Sequence, residues 1–208
     1  MIALFFEVLP HPGHEDSYFN IAASLKPELE KHAGLIFLDR YRSLHRPGWI
    51  LSHQYWRDEA SMVRWRTNAR HHLAQKAGRH EHFADYRLRV ARVIVDAAPG
   101  QPSRRSTEDA AYNDPALTPP RYVVAAAGKG SACELAGGER YKSVNRADAF
   151  VSLVQVPDRD AGAQLVSTAV SDKGATHARL CLISRDYGMH ARIEAPQVFP
   201  AMATATPS

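Results

Sequence analysis

The sequence contains little cysteine, no long apolar run and no block of basic residues, and each scarcity excludes a class of protein. The only two cysteines, Cys133 and Cys181, cannot build a disulfide framework or a four-thiolate zinc site. No segment reaches the roughly 18 apolar residues that a membrane-spanning helix needs. The apolar opening Met1–Leu9 lacks the basic lead-in and the cleavage site of a signal peptide. These observations predict a cytoplasmic protein with no membrane partner.

The charge pattern argues against nucleic acid as a partner. The net charge is +4, from 26 basic and 22 acidic residues, and the two signs are interleaved along the chain. A nucleic-acid surface normally concentrates lysine and arginine in one patch or stripe. Histidine is unusually frequent, with 11 residues. The clustered ones, however, lack the spacing of a known metal site, so no bound metal is expected.

The first 96 residues alternate between strand-like and helix-like patterns. Proline, glycine and polar residues separate the segments. We predict strands at Ile2–Leu9, Leu35–Leu44, Trp49–Trp56 and Tyr86–Val95, and helices from about His14 to His32 and from about Glu59 to Lys76. The order β-α-β-β-α-β is that of a ferredoxin-like unit.

The second half repeats part of the first. Glu139–Arg146 matches Asp39–Arg46 at an offset of 100 without a gap, which indicates an internal duplication. The second copy is predicted to be degenerate, with its first helix reduced to a stub around Ser131–Leu135. The predicted organisation is a first unit at residues 1–96, a proline-rich linker at 97–120, a second unit at 121–199 and a flexible tail at 200–208. The second unit is predicted to have strands at Tyr122–Ala127, Arg140–Val144, Phe150–Val156 and near His177–Arg185, and a helix near Asp158–Val170.

Several short motifs in the two halves carry a family resemblance. They are Trp65-Arg66, His71, Ala74-Gln75, Gly78-Arg79 and Phe83–Val90, followed by Arg185–Met189 and Glu194–Pro196. This pattern resembles the antibiotic biosynthesis monooxygenase (ABM) domain, well over Met1–Asp96 and weakly over Arg121–Pro196. The resemblance implies an α+β fold in which two ferredoxin-like units pair as a dimeric α/β barrel, here within one chain. A further homodimer of chains is left open.

The resemblance also implies a reaction. Some members of the family oxygenate polycyclic phenols or quinols with molecular oxygen and no cofactor, and relatives with the same fold degrade heme. We therefore expect a monooxygenase that oxidises a small aromatic phenol or quinol without a cofactor. The alternatives are a heme-binding or heme-degrading protein and a non-catalytic ligand-binding barrel. Ser61 and Gln75 depart from the residues that quinone-forming and heme-degrading members have at these positions.

Cofactor-free oxygenation needs a proton acceptor and a group that stabilises an oxygen anion. Trp65 is the candidate for stacking on a planar substrate, and His71 or His72 is the candidate proton acceptor. Adjacent helical residues point about 100° apart, so only one of the two histidines is expected to face the pocket. Arg87 or Arg89 is the candidate for stabilising the oxygen anion.

Four further residues are candidates for binding the substrate. Phe5 and Glu7 share one face of the first strand, and His53 lies on the third strand. Met62 shares a helical face with Trp65. The alternatives are ordinary ones: Trp65 as core, and histidines and arginines in solvent.

Overall fold

Eight β-strands of one chain close into a barrel, with helices on its outer surface. The computed structural model describes residues 1–106, 121–130 and 133–196. The strands are β1 Ile2–Pro10, β2 Leu35–Ser43, β3 Ile50–Trp56, β4 Phe83–Ala97, β5 Arg104–Arg105, β6 Arg121–Lys129, β7 Glu139–Ser143, β8 Ala149–Val156 and β9 His177–Gly188. The α-helices are α1 Glu15–Glu30, α2 Glu59–Arg66, α3 Ala69–Ala77 and α4 Arg159–Ser171, and a π-helical turn at Gly78–His82 follows α3.

The strand order confirms two ferredoxin-like halves in one barrel. The order around the sheet is β1-β3-β2-β7-β8-β6-β9-β4, and pairing of β4 with β1 closes it. The first half reads β2-β3-β1-β4 and the second β7-β8-β6-β9, so corresponding strands occupy corresponding places. The short β5 adds to the end of β4. A closed sheet leaves none of its eight strands as an open edge.

The two halves meet along two seams, a short one between β2 and β7 and a longer one between β4 and β9; the short seam shows the duplication most directly. Tyr41 lies opposite Ser143, and Ser43 lies opposite Tyr141. Across this seam Arg46 donates a hydrogen bond to the Tyr141 hydroxyl at 2.6 Å. The equivalent residue 100 positions later, Arg146, donates to the Tyr41 hydroxyl at 2.7 Å. Residues 100 apart thus make matching contacts, as a duplication would produce, although the duplication itself stays a prediction.

The predicted second helix is two helices, not one. Helix α2 ends at Arg66 and α3 begins at Ala69. Asn68 interrupts the helix because its extended backbone suits an N-cap, and its side chain accepts a hydrogen bond from the His71 backbone N–H at 3.0 Å. The prediction of one helix from about Glu59 to Lys76 is therefore wrong at residues 67–68. Because of this break, the side chains of α2 and α3 do not lie on one continuous helical face.

Some predictions fall wholly or partly outside the described residues. Residues 107–120 of the predicted linker and the predicted tail at 200–208 lie outside them, and β4 continues through Ala97. The stub helix includes Ser131 and Ala132, which are also outside, and Cys133–Leu135 is not helical. The domain boundaries stay predictions. Among the described residues, no helix has the length and apolar character needed to cross a membrane.

Each half of the barrel carries its helices differently. On the second half, α4 packs directly on the sheet and forms a core with residues such as Val124, Leu180 and Val166. On the first half, α1, α2 and α3 cover the sheet but leave a cavity beneath them. The interior of the barrel is filled by side chains that include Phe5, Tyr141 and His53.

Candidate functional site

A cavity of about 430 Å³ lies between the first half of the sheet and its helices. Leu4 and Phe6 of β1 contribute to its sheet wall, as do Leu88 and Val90 of β4. These residues have the same parity along each strand, because successive side chains point to opposite faces of a sheet. Residues of α1, α2 and α3 form the opposite wall. The volume is in the range of small-molecule binding sites.

Trp65 of α2 and His71 of α3 form a stacked pair in the helical wall. Their ring centroids are 4.6 Å apart with an interplanar angle of 18°. His71 Nδ1 lies 3.0 Å from the Trp65 carbonyl oxygen. A carbonyl oxygen only accepts hydrogen bonds, so this contact requires a hydrogen on Nδ1. Gln75 Nε2 lies 3.2 Å from the same Nδ1 and is a donor, so that contact requires the other tautomer. The break between the two helices is what lets the chain turn back to make this contact.

The burial of His71 decides its charge. Removal of the ring from water lowers its pKa from 6.5 to about 4. His71 is therefore neutral at pH 7 and presents a hydrogen-bond acceptor. His71 and His72 both line the cavity, so the expectation that only one of them faces it is wrong. The cavity extends over more of the α3 surface than the 100° between neighbours, since Ala74 and Gln75 also line it.

Arginine and tyrosine residues gather at one end of the cavity. Both Arg79 and Arg192 donate hydrogen bonds to the Tyr86 hydroxyl oxygen, from Nη1 atoms at 2.6 and 2.7 Å. The Arg192 guanidinium carbon also lies 5.2 Å from the centre of the Tyr187 ring. Burial raises the pKa of Tyr187, while Arg66, Arg192 and Arg185 pull it downwards. We call the set Arg66, Arg79, Arg185, Arg192, Tyr86 and Tyr187 the arginine end.

The second half of the chain completes this cavity. Arg185 and Tyr187 come from β9, and Arg192 and Pro196 come from the segment that follows it. Strand β9 reaches the site because it pairs with β4, with Tyr187 opposite Leu88. The site is therefore composite, although its Trp65–His71 pair belongs to the first half.

Four predicted site residues lie in the barrel interior instead of the cavity. Phe5 stacks on His53 with ring centroids 4.8 Å apart, and Arg89 Nη2 donates to Glu7 Oε2 at 2.7 Å. The reason is strand alternation: residues 5 and 7 of β1 point inward, whereas residues 4 and 6 face the helices. The structure thus does not bring Phe5, Glu7, His53 or Arg89 together with Trp65. Of the four predicted substrate-binding residues, Met62 lies in the cavity.

Charge in the barrel interior is balanced by close pairing. Burial alone would raise the pKa of Glu7, but Arg89 and the hydrogen bonds from Tyr141 and Arg46 hold it below its ordinary value. Burial lowers the pKa of His53 from 6.5 to about 3, so this imidazole is neutral. Arg87 also lies outside the cavity. Its Nε and Nη2 atoms donate to the two carboxylate oxygens of Asp186 at 2.9 and 2.6 Å.

The other two histidines of the cluster, His80 and His82, do not line the cavity. His80 is exposed, and His82 Nδ1 lies 3.0 Å from His14 Nδ1. In residues 1–106, 121–130 and 133–196, no group of three or more histidine, cysteine, aspartate or glutamate side chains is placed to hold a metal ion.

Sequence reasoning did not identify the arginine end. Two signals were present: Gly78-Arg79 belongs to the family-like pattern, and alternation along β4 places Tyr86 on the face opposite Arg87. Arg185 and Tyr187 belong to the Arg185–Met189 motif of the same pattern but were not predicted as site residues, and Arg192 gave no signal. They reach the cavity through pairing of two strands about 100 residues apart, which no local pattern reveals.

Comparison with known proteins identifies the family. Residues 1–87 match the family model described as antibiotic biosynthesis monooxygenase. The jasmonate monooxygenase ABM of Pyricularia oryzae is 38% identical, and the match covers 96% of this chain and 99% of that protein.

Two solved structures are similar to this chain at low sequence identity. The crystal structure of an aldoxime dehydratase has a TM-score of 0.50 at 9% identity, covering 88% of this chain and 81% of its own. That of an anthrone oxidase-like protein has a TM-score of 0.38 at 8% identity, covering 95% and 96%. These likenesses concern the fold alone. From the family model and the Pyricularia oryzae relative, the chain belongs to the antibiotic biosynthesis monooxygenase family and is a monooxygenase.

Proposed function

We propose that this monooxygenase oxidises an aromatic phenol or quinol with molecular oxygen, without a cofactor, in the cavity beside Trp65. The observation that carries the proposal is the stacked Trp65–His71 pair, which sets a neutral imidazole into the wall of a largely apolar cavity. A proton acceptor beside an apolar binding surface is what the oxidation of a phenolic ring requires.

The cavity suits a flat apolar ring. Leu4 and Val90 of the sheet lie on one side, and Met62 and Trp65 of α2 lie on the other. An aromatic ring bound there loses contact with water over most of its surface, which favours binding in proportion to the apolar area removed. Met62 fits this role because its flexible side chain adapts to the shape of a ligand.

The proton of the phenolic hydroxyl goes towards His71. In the tautomer that we propose for the reaction, Nδ1–H donates to the Trp65 carbonyl and the Nε2 lone pair is the acceptor. A pKa of about 4 makes His71 a weak base, so the phenolate also needs stabilisation by positive charge. Arg66 and Arg185 line the same cavity and supply that charge. In our proposal they take the role that the sequence suggested for Arg87 and Arg89, which lie outside it.

The electrons for oxygen reduction come from the substrate itself. The phenolate transfers electrons to O₂, and a C–O bond forms at a ring carbon that bears hydrogen, which is the carbon opposite the hydroxyl in a phenol and a carbon next to a hydroxyl in a quinol. Loss of the ring hydrogen as a proton and cleavage of the O–O bond give a quinone and water. One oxygen atom enters the product and the other leaves as water, so the substrate's two lost hydrogens balance the reaction and no reductant is needed. The arginines stabilise the negative charge that develops on oxygen.

Oxygen uptake tests the proposal. The purified protein is given a panel of naphthols, hydroquinones and polycyclic phenols, together with jasmonate, because the Pyricularia oryzae relative is named for that compound. We expect quinone formation and oxygen uptake in a one-to-one ratio with a phenol or quinol.

Variants then test the assigned roles. Loss of a proton acceptor typically lowers kcat by about 100-fold or more, so we expect this of His71→Asn. His80→Asn is the matched control, since His80 is an exposed histidine a few residues later, and it should keep full activity. Equal activity of both variants would contradict the role of His71. Turnover of jasmonate alone would contradict the phenol or quinol substrate.

Heme is the alternative that uses the same histidines, since His71 and His72 both line the cavity and an imidazole is a common axial ligand. An absorbance spectrum of the protein as purified, followed by titration with hemin, separates the two ideas. A Soret band that saturates near one heme per chain, and is lost in His71→Asn, would contradict the cofactor-free proposal. A folded protein that shows thermal shifts with the panel but no turnover would identify a ligand-binding barrel.

A further inference from the structure

Tyr18, Arg40 and Ser52 form a polar cluster in the cavity wall that the proposed reaction does not use. All three residues line the cavity. Arg40 of β2 lies opposite Ser52 of β3, and Tyr18 reaches both from α1, where its hydroxyl interacts with their side chains. The Tyr18 ring is held in place, because it packs on the Phe83 ring with centroids 6.1 Å apart and the residue is only 7% exposed. The cluster therefore has a defined geometry.

The hydrogen bonds behind this cluster run in one direction. Trp56 Nε1 carries a hydrogen and can only donate, and it lies 3.0 Å from Gln54 Oε1. The amide nitrogen of Gln54 then faces the other way and donates to Ser52 Oγ at 3.2 Å. Because this oxygen accepts a hydrogen bond, the Ser52 hydroxyl hydrogen is left to be donated, and the hydroxyl oxygen of Tyr18 is its neighbour.

Arg40 adds a second donor to the same tyrosine oxygen. A guanidinium group has donors only, so the Tyr18 oxygen accepts from Arg40 and from Ser52 and its own hydrogen is left over. Burial raises the pKa of Tyr18, whereas Arg40 and Ser52 pull it downwards, so the hydroxyl keeps its hydrogen at pH 7. Among the described residues, no carbonyl or carboxylate accepts that hydrogen. The chain of hydrogen bonds thus ends in an O–H group at the cavity wall.

The charge of Arg40 favours an anion beside Tyr18. In the part of the chain that the structure describes, Arg40 has no carboxylate partner, and its buried Nε atom makes no hydrogen bond. Arg42, two residues further along β2, differs in that it pairs with Glu15. A positive charge in a site shielded from water attracts an anion more strongly than it does in solvent. A tyrosinate formed at Tyr18 would therefore be stabilised, as is required of an acid that gives its proton away and regains it.

We infer that Tyr18 is the hydrogen donor of this cavity: it directs its O–H at an oxygen atom of the bound molecule and, in the oxidation, protonates the oxygen that leaves as water. Arg40 and Ser52 are positioning residues for it. The role in the oxidation rests on the proposed function, whereas the donation to a ligand oxygen does not. His71 and Tyr18 then have opposite tasks, since His71 takes the first proton from the substrate and Tyr18 gives the last one to oxygen.

The step balances without a further reactant. Once oxygen has bonded to the ring carbon, the outer oxygen carries the proton that His71 removed from the substrate. The O–O bond breaks, its electron pair stays on the outer oxygen, and the Tyr18 proton converts that oxygen to water. The ring carbon loses its hydrogen as a proton, and the electron pair of that C–H bond forms the new C=O bond. The tyrosinate beside Arg40 takes up a proton in exchange, so Tyr18 ends as it began.

The fate of the consumed oxygen tests this role. The protein is given a quinol, the enzyme-free rate is subtracted, and oxygen uptake, oxygenated product and hydrogen peroxide are measured together. Without the proton donor the O–O bond breaks slowly, so the intermediate instead loses hydrogen peroxide and leaves the quinone without an added oxygen atom. We expect Tyr18→Phe to form oxygenated product about 100-fold more slowly and to release about fivefold more peroxide per oxygen consumed.

Tyr55→Phe is the matched control. Tyr55 is also a buried tyrosine beside an arginine, with the Arg179 guanidinium carbon 4.3 Å from its ring centre. It belongs to the core of the barrel interior and does not line the cavity, so the variant should keep wild-type coupling. Arg40→Gln should raise peroxide release, and Arg40→Lys should restore part of the coupling because it keeps the charge. A merely structural defect would lower the rate and leave the share of peroxide unchanged.

Equilibrium dialysis tests the donor without any reaction. Quinoline N-oxide and 1-methylnaphthalene have the same shape, but only the N-oxide presents an oxygen that accepts a hydrogen bond. Loss of one such bond reduces the preference for the N-oxide by about fivefold, and we expect this of Tyr18→Phe. Tyr55→Phe should keep the wild-type preference. If Tyr18→Phe fails to fold, Arg40→Gln and Ser52→Ala carry the same test, each with a smaller reduction.

The outcomes separate this inference from the proposed function. A preference for the N-oxide that survives Tyr18→Phe would overturn Tyr18 as the donor. Oxygen uptake with wild-type coupling in Tyr18→Phe would overturn its role in the oxidation and leave the proposed function standing. A preference that depends on Tyr18, in a protein that consumes no oxygen with any phenol or quinol, would refute the proposed function and support the donor site alone.

Discussion

The two halves of the barrel have the same strand order, yet the 430 Å³ cavity lies beneath the helices of the first half and not beneath α4. The difference is clearest where positions 100 residues apart are compared. Asp58 and Asp158 both cap a helix by accepting a backbone hydrogen bond at 2.8 Å. Four residues further on, α2 has Met62 and α4 has Gly162.

Gly162 explains why α4 lies close to its sheet. A Cβ atom at this position would lie 2.4 Å from Leu180 Cδ1, and Leu180 is fully buried. Close approach of a helix to a sheet needs such a small residue, and α2 has the long side chain of Met62 at the equivalent position. Position 165 continues the contrast, since Leu165 packs on the core where the first half has Trp65. We infer that the distance between a helix and the sheet beneath it decides whether this fold has room for a ligand, since the strand order is the same in both halves.

The largest expected difference between the halves is the loss of unfolding free energy at acid pH. His53 in the barrel interior has Leu153 as its counterpart. Its folded pKa of about 3 lies below the ordinary 6.5, so the unfolded chain binds a proton more readily. The stabilisation from a neutral His53 is complete above pH 6.5 and is lost progressively as the pH falls towards 3. At pH 4 this costs on the order of 3 kcal/mol.

His53→Leu, which copies the second half, removes that acid sensitivity. Urea unfolding at pH 7 and pH 4 should show a smaller loss of unfolding free energy for the variant than for the wild type. His45→Leu, at a half-exposed histidine, is the control and should behave like the wild type. The same pH dependence in all three proteins would refute the assignment to His53.

A second prediction tests the role of Gly162. Gly162→Met gives α4 the residue that α2 has, and we expect it to lower the unfolding free energy by about 2 kcal/mol, because the extra side chain overpacks the contact with Leu180. Gln164→Met adds the same side chain at an exposed position of α4 and should change stability by less than about 0.5 kcal/mol. Thermal or urea unfolding measures both. A Gly162→Met protein as stable as the wild type would mean that α4 can move away from the sheet freely.

The smallest expected effect on stability comes from removal of the two equivalent helix caps, Asp58 and Asp158. Asp58→Ala and Asp158→Ala each remove one helix-capping hydrogen bond, so each should lower Tm by a few degrees. Their effects on turnover should differ, because α2 carries Trp65 and α4 lines no part of the cavity. Equal losses of activity in the two variants would argue against the division of roles between the halves.

Much of this fold follows from local sequence patterns. Glycine and proline mark the ends of strands, apolar spacing marks α1, and the Asp39–Arg46 match marks the second half. The break between α2 and α3 escapes such reasoning, because Asn68 is tolerated inside a helical pattern and only the contact between His71 and Trp65 shows that the chain turns. Alternation places Arg87 and Arg89 on one face of β4, but it cannot say whether that face looks towards the barrel interior or the helices. Trp65 and His71 were predicted because they belong to the family-like pattern, and Met62 and His72 because they share a helical face with Trp65 in the sequence. The residues from β9 depend on long-range pairing and were not found.

The position of Arg185, Tyr187 and Arg192 in the chain has a consequence for synthesis. A ribosome produces the Trp65–His71 pair early, and more than 100 further residues must emerge before the arginine end can close over it. Domains generally fold as units during translation, with the N-terminal part first. A nascent first half can thus form its helices and sheet but lacks the wall supplied by β9. The cavity is therefore complete only when almost all of the described chain has been made.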